Sequence, residues 1–127
     1  IGEVFVDLIG EAEPCFVARD VPTFTDALPL LRESSALVSL AHPFRYPDPE
    51  QALARCSHLD AVEAFYPYDG TRGHDDGGGP DRRLLAETIA AQNLIETGGS
   101  DAHGTVIGEA GLSESQYAPI ADRLPRP

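Results

Sequence analysis

The sequence predicts an α/β fold in which mostly parallel strands alternate with helices, and three observations predict it. Short, nearly continuous apolar segments recur along the chain, amphipathic segments opened by capping residues separate them, and the connections are brief. With 127 residues, 42% of them apolar and 24% charged, the chain has the size and composition of one modest domain.

Val4, Phe5, Val6, Leu8 and Ile9 crowd a segment ending at Gly10, as in the last turns of a helix, so the chain reads as starting in mid-element. After Pro14 and Pro22, Thr23 caps a helix running to about Glu33, with Phe24, Ala27, Leu28 and Leu31 on one face and Pro29 accommodated by a kink. Ala36 to Ala41 is a short apolar run stopped at His42-Pro43, the pattern of a buried parallel strand with His42 at its end. Pro49 opens the next helix, to about Cys56, and Leu59 to Phe65 is a second strand. Residues 69–80 are polar and glycine-rich and read as a flexible loop. Asp81 caps a helix to about Gln92 with Leu84, Leu85, Ile89 and Ala90 or Ala91 on its apolar face, and Leu94 to Thr97 is a third strand. In such a parallel sheet or barrel, functional side chains gather beyond the carboxyl ends of the strands.

Nine basic residues, all arginine, stand against 21 acidic ones for a net charge of -12, so the surface repels nucleic-acid backbones and no direct binding of long nucleic acid is expected. No apolar run approaches the roughly 20 residues needed to cross a bilayer, and no signal-like segment stands near Ile1, so a soluble, cytoplasmic protein without membrane contact is expected. Cys15 and Cys56 read as free thiols. The absence of methionine leaves two readings, a piece of a longer protein or a processed start.

Asp101 and His103 are two residues apart, so on an extended segment one carboxylate and one imidazole face the same side and suit Zn, Mn or Fe. A bare Asp-x-His is weak evidence, but Gly98, Gly99 and Gly104 supply the tight backbone of a loop around an ion. His42 alone reads first as a structural histidine, and its place at a strand end before a proline turns it toward a ligand role. Glu63 lies within an apolar strand, where an ionised carboxylate is costly unless paired; it is expected to hold a ligand or an arginine, with direct ligation second. Arg45 can bind a phosphate with its planar fork or form a surface ion pair, and His74 is either solvated or a substrate contact from the loop. No Gly-x-Ser-x-Gly elbow is present, which speaks against a serine nucleophile.

Three motifs, Val38-Ser39-Leu40-Ala41-His42-Pro43, Leu59 through Pro67, and Thr97 through Gly104, resemble in order and spacing the C-terminal part of the polymerase and histidinol phosphatase (PHP) family of metal-dependent phosphoesterases. The segment with Phe5 and the stretch from Pro14 to Val17 is also similar to that family, so the likeness covers essentially the whole chain. It implies the C-terminal portion of a single domain, a distorted (β/α)7 barrel with a cluster of two or three divalent metals at the strand ends. It also implies His42, Asp101 and His103 as ligands, and a nucleotide, short oligonucleotide or small phosphomonoester as substrate. The family's His-x-His motif, its next acidic residue and a further Glu and His have no counterpart here and are expected ahead of Ile1. Two alternatives follow: a non-catalytic or partner-dependent fragment that associates with itself or a missing half, and a metal-dependent hydrolase of C–N bonds.

Overall fold

Three short parallel strands joined by helical crossovers form the framework of the computed structural model, which describes residues 4–10, 13–68, 81–102, 105, 107–108 and 110–124. The elements run α1 (Phe24–Ser34), β1 (Ser39–Leu40), α2 (Pro49–Ala54), β2 (Ala61–Phe65), α3 (Arg82–Gln92), β3 (Ile95–Gly98) and α4 (Glu114–Ala121). Two compact units divide the chain, Ile1–Leu30 and Leu31–Pro127. In the first, the expected helix end at Val4 to Ile9 is one wide π-type turn, Phe5–Ile9, closed by Gly10 in extended rather than left-handed geometry. The Thr23 hydroxyl accepts the Asp26 N–H at 3.3 Å, and Pro29 lies inside α1 as expected. No residue of α1 is buried, and Leu31, expected on its apolar face, is 45% exposed.

In the second unit the strands pair in sequential order β1-β2-β3, all parallel. Right-handed crossovers, the near-universal hand of βαβ units, put α2 and α3 on the same face of a sheet so ordered, and the two helices touch. Asp81 caps α3 as the sequence predicts, its Oδ1 accepting the Arg83 and Leu84 N–H groups at 3.0 and 2.9 Å, and Asp48, just before Pro49, caps α2 by accepting the Gln51 N–H on Oδ1 at 2.9 Å. The second helix tightens into a 3-10 turn at Arg55–His58, and α3 ends at Asn93 in the left-handed conformation, φ 51°.

Leu53, Cys56, Val62, Leu85 and Leu94 make the core under these helices, with Leu40, Phe44, Leu59, Ala64, Leu84 and Ile89 packed against it. Ala90 and Ala91, expected on the apolar face of α3, are exposed: Leu85 and Ile89 one turn apart define the buried stripe and turn both alanines outward. Burial pushes the Cys56 thiol up to about 11, so it stays neutral inside the core.

The first strand is shorter than the expected run from Ala36 to Ala41. The Val38 N–H donates to the Asp60 carboxylate at 3.0 Å and the His42 N–H to the Glu63 carboxylate at 2.7 Å, so acidic side chains of β2 and its approach end the ladder on both sides. The third strand sits one residue later than expected, at Ile95–Gly98. Ala64 is extra on β2, because Glu63 pairs with Thr97 and Phe65 with Gly98, and the resulting bulge draws Gly98 into the sheet. Helix α4 was not anticipated from sequence. Its Ser113/Gln116 capping box was legible, but Pro119 inside the helix interrupts the pattern.

Among the described residues no helix is long and apolar enough to cross a membrane. Residues 69–80, expected to form a loop, lie outside the described residues. Leu53 is 2% exposed and sits at the centre of the core, so Leu53→Ala is expected to cost about 2–5 kcal/mol in urea unfolding; a loss below about 1 kcal/mol would place the core elsewhere.

Candidate functional site

His42, Tyr66 and Asp101 come together beyond the carboxyl ends of the three strands, and Glu63 reaches them from within β2. Strand β1 releases the chain at Ala41, and His42 turns left-handed, φ 31° and ψ 63°. Pro43, fully buried, then begins a short 3-10 turn to Arg45. The backbone turn at His42 is held by Glu63, whose Oε2 accepts the His42 N–H at 2.7 Å. Glu63 therefore holds the candidate ligand, and does so through its main chain.

Glu63 lies on the sheet face opposite the core, half-buried, with Ser39 and Thr97, whose hydroxyls bond at 2.9 Å across Ala61. That face mixes these polar groups with the buried Ala61, where the core face presents Leu40, Val62 and Ala64. Burial holds the Glu63 carboxyl above its ordinary value; the His42 N–H and the His42 charge pull it back, and the negative charge of Asp101 pushes it up again. Glu63 thus feels both described candidate ligands.

Beyond β3 the chain passes through Gly98 and Gly99, and a close approach requires each glycine. A Cβ on Gly98 would meet the Ala110 carbonyl oxygen at 2.7 Å and Phe65 Cβ at 2.9 Å, and one on Gly99 would meet Glu63 Oε1 at 2.8 Å. The Gly99 N–H donates to the Phe65 carbonyl at 3.1 Å and carries the sheet register toward Asp101. Asp101 is itself left-handed, φ 44°. Of the non-glycine residues with positive φ among those described, His42, Asn93 and Asp101, two are candidate ligands. Such a conformation costs about 1–2 kcal/mol per residue, and His and Asp are among the few types that tolerate it.

Tyr66, 7% exposed, follows β2 directly and links the two outer strand ends. Its hydroxyl donates to Asp101 Oδ2 at 3.0 Å, and its ring meets the His42 ring edge-on at 5.5 Å. Burial first, then the bond to Asp101, raises the Tyr66 phenol above its usual value, while Arg45 bonds to it and pulls the other way. The Arg45 guanidinium lies 5.5 Å from the centre of the Tyr66 ring. Tyr68 packs below, 4.6 Å from Tyr66 between ring centres, accepts the Phe44 N–H at 3.3 Å, and is pushed up to about 12, chiefly by burial.

His42 Nδ1 is buried and has no hydrogen-bond partner among the described residues. A buried imidazole nitrogen without a partner fits a metal-ligand role. Among the described residues, however, no three His, Cys, Asp or Glu side chains form a metal-holding group. His103, the third expected ligand, and His74, the expected substrate contact, lie outside the described residues. Tyr66 was missed from sequence, although a tyrosine directly after a buried parallel strand occupies the position where such folds place functional groups. An open cavity of about 560 Å3 between α3, β3 and α4 is lined by none of these residues. Comparison with family models, with curated proteins and with solved structures gives no match for this chain.

Gly98→Ala is expected to destabilise by about 1–3 kcal/mol, and Gly99→Ala by less, because the first meets backbone and the second a side chain that can swing away. Equal losses would show that Glu63 cannot yield. For pH, the raised Glu63 value means that the native state holds this proton more tightly than the unfolded chain does. The group's favourable contribution is full below the unfolded value, about 4.3, and falls as pH rises through the folded one. Glu63→Gln keeps an acceptor for the His42 N–H and should gain stability relative to the native protein as pH rises above the ordinary carboxyl value of about 4.3, read from urea midpoints. A pH-independent difference would contradict it.

Proposed function

We propose that this chain carries one side of the active site of a cytoplasmic, PHP-type metal-dependent phosphoesterase, with His42, Asp101 and His103 as ligands to divalent metal. The buried His42 Nδ1, unpartnered among the described residues at the carboxyl end of a parallel strand, is the observation that supports this most directly. The sequential strand order supports a barrel: a doubly wound sheet reverses direction at its switch point, whereas β1, β2 and β3 advance one strand at a time with their helices touching.

Bound divalent metal, Zn, Mn or Fe, supplies an activated water and neutralises charge developing on phosphoryl oxygens. This chain's own residues do the rest. Glu63 fixes the His42 backbone, Tyr66 orients the Asp101 carboxylate, and Arg45, over the Tyr66 ring, is the residue proposed to meet a phosphate oxygen. His74 is assigned to the substrate as well. A net charge of -12 favours a small phosphorylated molecule over a long nucleic acid, since phosphate is attracted only where metal and arginine reverse the local field.

No His-x-His occurs in the chain, so on its own it offers at most one incomplete site where the resemblance implies a cluster. Calorimetric titration with Mn or Zn is expected to show weak binding that His42→Ala and Asp101→Ala each reduce at least about tenfold. Binding insensitive to both substitutions, or none, would overturn the ligand assignment. Little or no hydrolysis of p-nitrophenyl phosphate or AMP is expected from the 127-residue chain with either metal. Turnover abolished by Asp101→Ala would instead make the chain a complete catalyst.

A further inference from the structure

We infer that Tyr66 is a positioning residue: its hydroxyl holds the Asp101 carboxylate and its ring braces the His42 imidazole, fixing the two candidate ligands relative to each other. The ligand roles rest on the proposed function; the mechanical role of Tyr66 rests on geometry alone.

The residue directly after β2 is 7% exposed, and a phenylalanine would fill the same volume without a polar group to satisfy. The hydroxyl is nonetheless present and donates to Asp101 Oδ2 at 3.0 Å, a contact between residues 35 apart in sequence. Asp101 is exposed and left-handed at φ 44°, and the Tyr66 hydroxyl reaches it from a different strand end. On the other strand end, the His42 ring stands edge-on to the Tyr66 ring at 5.5 Å, and the Tyr46 ring lies tilted to it at 6.0 Å. Arg45 closes the arrangement by stacking over the Tyr66 ring at 5.5 Å and bonding to the phenol, so the phenol proton is directed toward Asp101. A metal-ligating carboxylate oriented by a buried donor is the arrangement in which loss of the donor costs affinity without unfolding the protein.

The test compares Tyr66→Phe with Tyr68→Phe, which removes a neighbouring hydroxyl that accepts the Phe44 N–H. In nuclear magnetic resonance, Tyr66→Phe should shift the Asp101 carboxylate carbon and lower the amide order parameter at Asp101, while Tyr68→Phe leaves both unchanged. Unchanged Asp101 signals in Tyr66→Phe overturn the positioning role whether or not metal binds. In metal titration, Tyr66→Phe should weaken Mn or Zn binding about tenfold, with little change in melting temperature. Combined with Asp101→Ala it should add no further loss, because both act through one carboxylate. An additive loss overturns the inference. Absence of binding by the unsubstituted chain would instead count against the proposed function, and the resonance measurement would still decide the role of Tyr66.

Discussion

The bond from the His42 N–H to the Glu63 carboxylate at 2.7 Å is the constraint on which the strand-end arrangement depends. An acidic side chain in the middle of a buried parallel strand is unfavourable unless hydrogen-bonded, and Glu63 relieves that cost by accepting a main-chain donor from the neighbouring strand. The same bond removes His42 from the sheet ladder. Once its N–H is committed to a side chain, the backbone is free to leave β1 in the left-handed turn that Pro43 then stabilises. One carboxylate thus ends a strand, shapes a turn and places an imidazole.

The second requirement is that β3 deliver Asp101 to the same place. The extra residue at Ala64 offsets the register between β2 and β3, and Gly98 then fits between Phe65 and the carbonyl of Ala110, where no side chain has room. Gly99 similarly abuts the Glu63 carboxylate. Bulge and glycines together align the loop after β3 with the residue after β2. Tyr66 completes the alignment by spanning both ends, so tertiary bonds help offset the strain at His42 and Asp101.

The two faces of the sheet divide the work. Leu40, Val62 and Ala64 turn toward the helices and contribute burial, while on the other face the Ser39 and Thr97 hydroxyls bond each other and the Glu63 carboxylate accepts the His42 N–H. Apolar burial is concentrated on the helix-covered side, and the polar groups stand on the other. Because strand side chains alternate, the core residues Leu40 and Val62 are immediate neighbours in sequence of Ser39 and Glu63.

Much of this was legible in the sequence because it depends on local chemistry. The alternating order of helices and strands, the helix start at Pro49, the cap at Asp81, the core stripe through Leu85 and Ile89, and the strand-end placement of His42 all follow from side-chain period, capping and the backbone limits of proline. What the sequence could not reveal depends on pairs far apart along the chain. The truncation of β1 by Asp60 and Glu63, the offset of β3, the buried phenol of Tyr66 joining Asp101, and the packing of Gly98 under Ala110 arise only when strands settle into register. Period and propensity determine which segments become strands; hydrogen bonds between non-neighbouring side chains and backbone decide where each strand stops, and therefore which residues meet beyond its end.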